Sequence, residues 1–363
     1  MISTLNSLFT YGDNYGVKIH SADSKDFKII WKTFHSSITL ILIEPLLPVN
    51  EQFYFNKIDI LFNALVLLYG LDDLVNIANT EKFKKEIKVI NRFFLSEEFY
   101  ISNSININSS KVTYNILDAI LHNSGKFDLF GGYLTGCTDA LVINDSNVLQ
   151  ASIDESCLAV NTSLGCVMVN GRVIVASRTW WDLNATEAYL ISLLCLTLSD
   201  STSRDIPIYL PYKSPNEALR LLTYNLTSNN VMLCFICEEK PTIDAVEPLI
   251  KTLWHPIYKS LINLKQYFPR NLPPNLNLDD NMIGFLLINK NSKCCYSSLC
   301  PNETRSIHID EMNKRYDLLR FCYLNITTNY FTKYFKDSGN RADENDGNFL
   351  FNLILFSRFT SSF

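Results

Sequence analysis

The sequence predicts an α/β protein built from tandem α/β/α sandwiches with antiparallel sheets, the first and third of them incomplete. Three observations predict it. The first is an apolar hairpin: Asn170-Gly171 separates Leu164–Val169 from Arg172–Ala176. That pair suits a two-residue type I′ turn, whose central residues both take φ > 0. Cys166 and Met168 fall on one face of the first strand, Val167 and Val169 on the other, so the strand is predicted to be covered on both sides. The second observation is the helix that follows. Asn184 and Glu187 have capping-box spacing, and Ala188, Leu190, Ile191, Leu194 and Cys195 form a broad apolar face. The third is element order: hairpin, helix, three strands and two helices make one complete block, and parts of that order recur before and after it.

The elements follow in chain order. Ile2 to Phe9 is a short apolar segment, followed by a turn with Gly12 and Gly16. Phe27–Lys32 and Ser37–Ile43 are β-branched and aromatic and read as two strands, the second ended by Pro45 and Pro48. Ile58, Leu61, Phe62, Leu65 and Leu68 keep helical spacing up to a stop at Gly70. Asp72-Asp73 open the next helix, where acids suit the N-terminal dipole. Thr80 caps a further stripe of Phe83, Ile87, Ile90 and Phe94. These residues make a first domain over 1–98, and the Ser/Asn-rich stretch 99–112 reads as a linker.

The second domain is placed at 113–270. It contains a helix-like piece at Ile116, Ala119 and Ile120, a Gly131-Gly132 turn, and the hairpin and helix already described. Ile206–Leu210 is a strand whose Pro207 favours an edge. Leu219–Leu226 and Val231–Cys237 are two more strands, and a long amphipathic stretch from Ile243 to Leu264 is split by Pro256. The third domain, partial, is placed at 278–363. Met282–Ile288 and Lys293–Leu299 form a hairpin, a helix starts near Ile309, Asp337–Gly347 is a polar loop, and Asn348–Phe356 is one more apolar run.

Composition restricts the function classes. The 363 residues are 47% hydrophobic and 19% charged, which is the balance of a packed globular protein. A net charge of −5 provides no basic field for nucleic acid. The start has no cationic n-region, and the apolar runs Ile38–Val49 and Ile58–Leu71 are too short or interrupted to span a bilayer, so no transmembrane segment is expected. The ten cysteines are scattered. Cys234 and Cys237 stand three apart in a strand and face opposite sides, which suits small hydrophobes in a reducing compartment rather than a metal site.

No catalytic motif is present: no phosphate loop, no H-E-x-x-H, no G-x-S-x-G, no glycine fingerprint. Neither a cofactor nor a metal is expected. The candidate residues are therefore surfaces for a partner. Trp31 and Phe34 are aromatic anchors in or beside a strand, with a core role as the competing reading. His35, between Phe34 and Ser36, reads as a turn or surface position beside them. Trp180 and Trp181 are adjacent, so in an extended segment they point to opposite sides, one to the core and one outward.

Particular strings carry a resemblance. Ile30–Ile41, Gly70–Ile77, Arg204–Pro211 with Ser214-Pro215, Arg220–Thr223, and the Gly171-Arg172-Val173 turn with Trp180-Trp181 together resemble the Fuzzy family of planar cell polarity effectors, from the first residues to about Tyr330. The resemblance implies longin domains in tandem, the architecture of paired exchange factors for Rab-type GTPases. It also implies that residues 1–20 are the first longin helix, so the opening hairpin of that domain is absent, and that the match ends near Lys336. The implied partners are an Inturned-like longin protein, a WD-repeat planar polarity effector and a Rab-type small GTPase. The implied role is guanine-nucleotide exchange as a heterodimer in cilium assembly and planar polarity. The implied location is cytoplasmic, at the cilium base and cytoskeleton, with room for peripheral membrane contact. A longin scaffold or vesicle-trafficking adaptor without exchange activity is the alternative.

Overall fold

The computed structural model describes residues 2–47, 49–75, 107–122, 129–132, 134–144, 146–198, 203–227, 231–279, 282–302, 308–327 and 351–357. The predicted helix at Thr80–Phe94 and the loop at Asp337–Gly347 lie outside them.

The first unit opens with helix α1 (Ile2–Asn14) and continues as a meander of β1 (Ser21–Asp23), β2 (Phe27–Phe34) and β3 (Ile38–Pro45). His35, Ser36 and Ser37 join the two longer strands, and the first two, with φ of 49° and 57°, take the left-handed conformation of a tight hairpin turn. Alternation along the pair divides the faces. Ile30 and Leu42 are buried in the core shared with helix α2 (Glu51–Tyr69), while Trp31 stands opposite Ile41 on the other face. Helix α2 starts nearly two turns before the first periodic residue, Ile58. Asn50 caps it by accepting the Gln52 N–H at 3.0 Å. It ends at Gly70, whose φ of 77° lets its N–H return to Val66. Asp72 and Asp73 open the short helix α3 (Leu71–Val75), as the sequence indicates.

Helix α4 (Ile107–His122) begins inside the stretch 99–112 that reads as a linker. Burial of Ile116 and Ile120 in the main core outweighs the weak helix propensity of its Asn/Ser-rich start. Helix α5 (Ser146–Val160) has no counterpart among the expected elements. Its buried face, Leu149, Ile153, Ser156, Cys157 and Val160, includes a serine and a cysteine and so gives a faint apolar signal. Trp254 Nε1 donates to the buried Ser156 hydroxyl at 2.9 Å.

The second unit has the predicted order: β5 (Leu164–Val169), β6 (Arg172–Ala176), α6 (Ala185–Thr197), β7 (Ser203–Leu210), β8 (Ser214–Thr227), β9 (Val231–Cys237), α7 (Ile243–Trp254) and α8 (Tyr258–Asn263). Its antiparallel sheet runs β6-β5-β9-β8-β7, with β5 interior and the Pro207 strand at the edge. Cys166 and Met168 join the core under α6, and Val167 and Val169 join a second core with α5 and α7. That is an α/β/α sandwich, and β5 is buried at every position. Cys234 and Cys237 fall into different cores, one on each face of β9.

The third unit is a hairpin of β10 (Met282–Asn289) and β11 (Cys294–Ser298), helix α9 (Ile309–Ile326), and β12 (Phe351–Ser357), which returns antiparallel to β10. A short strand, β4 (Thr138–Asp139), runs parallel to β11. The next residues bridge to β6: the Ala140 N–H bonds Cys295, and the Leu141 N–H bonds Val173. Residues 138–141 thus bridge the two sheets. The main core is likewise shared, since it holds Ile30 and Ile58, Leu190 and Ile191, and Leu286 and Tyr316 from the three units.

Candidate functional site

The candidate residues fall into two neighbourhoods. In the first unit, Phe34 stacks on Phe62 of α2 with ring centroids 4.0 Å apart and planes 7° apart. His35 is exposed in the β2–β3 turn, 5.9 Å from the same ring. Trp31, by contrast, is 1% exposed, and its indole N–H has no acceptor among the described residues. Its position is that of a packing residue.

The second neighbourhood is a cleft of about 460 Å³ where residues 138–141 join the sheets. Trp181, Asp182, Lys293 and Tyr296 line it with Val173 and Leu141. Trp180 and Trp181 sit on a 3-10 turn, Arg178–Asp182, not in the extended segment assumed from sequence. Adjacent side chains still diverge there, and Trp180 is 1% exposed in the core while Trp181 is partly buried at the cleft. Phe34 and His35 therefore lie in one place and Trp181 in another.

Behind the cleft stands a group that the sequence did not flag. Asp139 is 2% exposed. Its carboxylate accepts the Phe130 N–H at 2.8 Å and the Gly131 N–H at 2.7 Å, and Cys295 Sγ lies 3.4 Å away. Burial pushes its pKa up to about 6, opposed by the nearby Arg172 guanidinium and the two backbone donors. Arg172 is itself buried and reaches Ser297 Oγ at 3.4 Å. A buried carboxylate with a shifted pKa is a common mark of an active site. Here both oxygens are occupied in holding the Phe130-Gly131 segment to β4, so its work is to fix the junction of the second and third units. Nothing in Thr138-Asp139-Ala140 could have revealed this, because the partners come from distant segments. Around the cleft, burial pushes Tyr296 up to about 12 and raises the Cys294 thiol, so neither is poised to exchange protons near neutrality. Among the described residues, no three His, Cys, Asp or Glu side chains are grouped to hold a metal ion, and no helix is long and apolar enough to cross a membrane.

Comparison with known proteins bears on these surfaces. The family model for the first longin domain of FUZ, MON1 and HPS1 matches residues 1–96, and that for the second longin domain of FUZ, MON1 and HPS1 matches residues 161–255. The protein fuzzy homolog of Homo sapiens is 30% identical over 332 residues, covering 91% of this chain and 72% of that protein. The chain belongs to the Fuzzy family. The Xenopus tropicalis protein fuzzy homolog is 32% identical over 291 residues, which is 80% of this chain and 63% of the relative, so the chain spans less than two thirds of that protein's length. The Mus musculus homolog is 30% identical over 332 residues. The second longin match runs from β5 to α7 and takes in the whole five-stranded sheet. The Fuzzy longin matches thus contain Phe34 and His35 in the first and Trp181 in the second, while Leu141, Lys293 and Tyr296 of the cleft lie outside both.

Proposed function

We propose that this chain is the Fuzzy-type subunit of a paired longin complex, formed with an Inturned-like longin protein and associated with a WD-repeat planar polarity effector. In this reading the pair acts in the cytoplasm, at the cilium base and cytoskeleton, as a guanine-nucleotide exchange factor for a Rab-type GTPase in cilium assembly and planar cell polarity. The observation that supports it is the tandem pair of Fuzzy longin matches on one chain, whose units share one hydrophobic core. An exchange factor makes and breaks no bond in its substrate. It binds the nucleotide-free GTPase better than the loaded one, and needs a rigid complementary surface to do so. The exposed His35 turn, Phe34 and Trp181 are the partner contacts in this proposal, while Trp31 and Trp180 support them from within.

The test is co-purification with an Inturned-like chain, followed by release of labelled GDP from a Rab-family GTPase. Release at least tenfold faster with the pair than with either chain alone, a barrier lower by about 1.4 kcal/mol, is the expected result. A stable pair that leaves release unchanged replaces the exchange reading with the scaffold or trafficking-adaptor reading. Failure of His35→Ala and Trp181→Ala to weaken the pair removes those residues from the interface.

A further inference from the structure

The cleft where residues 138–141 bridge the sheets has a chemistry of its own. Its volume of about 460 Å³ falls within the usual size of a small-molecule site, about 300–1,000 Å³. Leu141 and Val173 bring apolar surface from the bridge itself. Trp181 of the second unit and Tyr296 of the third each bring an aromatic ring. Asp182, on the 3-10 turn, and Lys293, in the β10–β11 turn, add charges of opposite sign.

Those two charges are not used by the fold. Among the described residues neither Asp182 nor Lys293 forms an ion pair, with the other or elsewhere. The neighbouring Lys290, by contrast, donates to the Thr135 carbonyl. The turns that carry the two charges are nonetheless fixed. Asn289 Oδ1 accepts the Asn291 N–H at 3.1 Å and the Ser292 N–H at 3.2 Å. On the other turn Thr179 Oγ1 donates to the Ser163 carbonyl, and the Leu183 N–H closes on the Trp180 carbonyl at 3.1 Å. Tyr296, which burial pushes up to about 12, keeps its proton, so the cleft suits recognition rather than proton transfer.

We propose that this cleft binds a small zwitterion with an aromatic body, an amino acid or a short peptide with free ends. Its ammonium meets Asp182, its carboxylate meets Lys293, and its ring packs against Trp181 and Tyr296. An apolar ligand would take water from both charges and return nothing, and a ligand of one sign would leave one of them unmatched. An aromatic body is favoured because ring pairs attract beyond the area they bury. Since the lining comes from two units, an occupant ties the second to the third and stabilises the folded chain by mass action. The inference stands apart from nucleotide exchange, and the full chain is tested without a partner.

The measurement is calorimetric titration of the full chain with L-phenylalanine and, separately, with the dipeptide phenylalanylglycine. Saturable binding of at least one, with Kd below about 1 mM or −4 kcal/mol, is expected, and the tighter of the two identifies the source. Asp182→Asn should weaken binding of that probe about threefold, as for an exposed ion pair, and leave its N-acetyl derivative unaffected. Lys293→Gln should weaken it about as much and leave its C-terminal amide unaffected. Both variants should keep the melting temperature of the free chain, since both side chains are exposed and unpaired. N-acetylphenylalaninamide, capped at both ends, makes the same test without mutation and should bind about tenfold more weakly than L-phenylalanine. A Kd above about 1 mM for both probes overturns the proposal. So does binding that both variants leave intact. Equal affinity for the doubly capped compound marks an unselective apolar groove and also overturns it.

Discussion

Glu187 is the residue whose removal tests this structure most sharply. Its side chain completes the capping box of α6, with the Asn184 N–H 3.2 Å from Oε2. The other oxygen, Oε1, accepts the Tyr212 N–H at 2.8 Å and the Lys213 N–H at 3.1 Å. One carboxylate, 1% exposed, therefore joins the start of α6 to the turn between β7 and β8. Glu187→Ala loses a helix cap worth about 1 kcal/mol and two hydrogen bonds to a charged acceptor, each about 1.5–3 kcal/mol. The expected loss is about 4 kcal/mol or more. Asn184→Ala removes only its own cap, about 1 kcal/mol. Urea unfolding of the second sandwich measures the totals, and hydrogen exchange locates them. Glu187→Ala should speed exchange of the Tyr212 and Lys213 amides more than tenfold, and Asn184→Ala should leave them unchanged. Equal destabilisation by the two variants, or unchanged exchange at Tyr212 in Glu187→Ala, would refute a tertiary role for this carboxylate.

Three further outcomes follow from buried groups. The pKa of Asp139 is about 6 in the folded chain against an ordinary 3.8, so the folded state holds the proton more tightly. The stabilisation is complete below pH 4 and is lost as pH rises through 6, by about 3 kcal/mol in all; Asp139→Asn should flatten that part of a stability–pH profile. Lys57 is 2% exposed and donates to Glu44 and, at 2.6 Å, to the Leu121 carbonyl. Lys57→Met strands Glu44 and should cost about 3–5 kcal/mol in chemical denaturation, most of it recovered in Lys57→Met with Glu44→Leu. Gly132 has φ of 62°, and a Cβ there would lie 2.5 Å from Tyr189 Cδ1 and 3.1 Å from Ile60 Cδ1. Gly132→Ala should cost about 2 kcal/mol or more from left-handed strain and overpacking, seen as a lower melting temperature.

Local signals were legible from the sequence because their physics is local. A turn such as Asn170-Gly171 needs positive φ at two adjacent residues, and both have it, at 47° and 76°. The Asn184–Glu187 box acts over three residues, and the two-sided apolar pattern of β5 follows from side-chain alternation alone. These signals placed the hairpin, the helix and the edge strand of the second sandwich, and its α/β/α layering. Helix α5 escaped because Ser156 and Cys157 carry part of its buried face, and α4 because a polar start concealed a helix held by packing.

The candidate site was legible only as residue types. Trp31, Phe34, Trp180 and Trp181 look alike in a sequence, yet two are sealed in the core, one stacks on Phe62, and one lines a cleft. Burial depends on what packs from elsewhere, and no residue's near neighbours specify that. Asp139 is the extreme case. Its donors lie 8 and 9 residues upstream, its thiol neighbour lies 156 residues downstream, and the strand it ends leads into the bridge between two sheets whose other members are far apart in the chain. The sequence determined the elements, since hydrogen-bonding periods and turn angles act within a few residues. The tertiary structure alone decided how the three units share a core, because desolvation and long-range pairing arise only once distant segments meet.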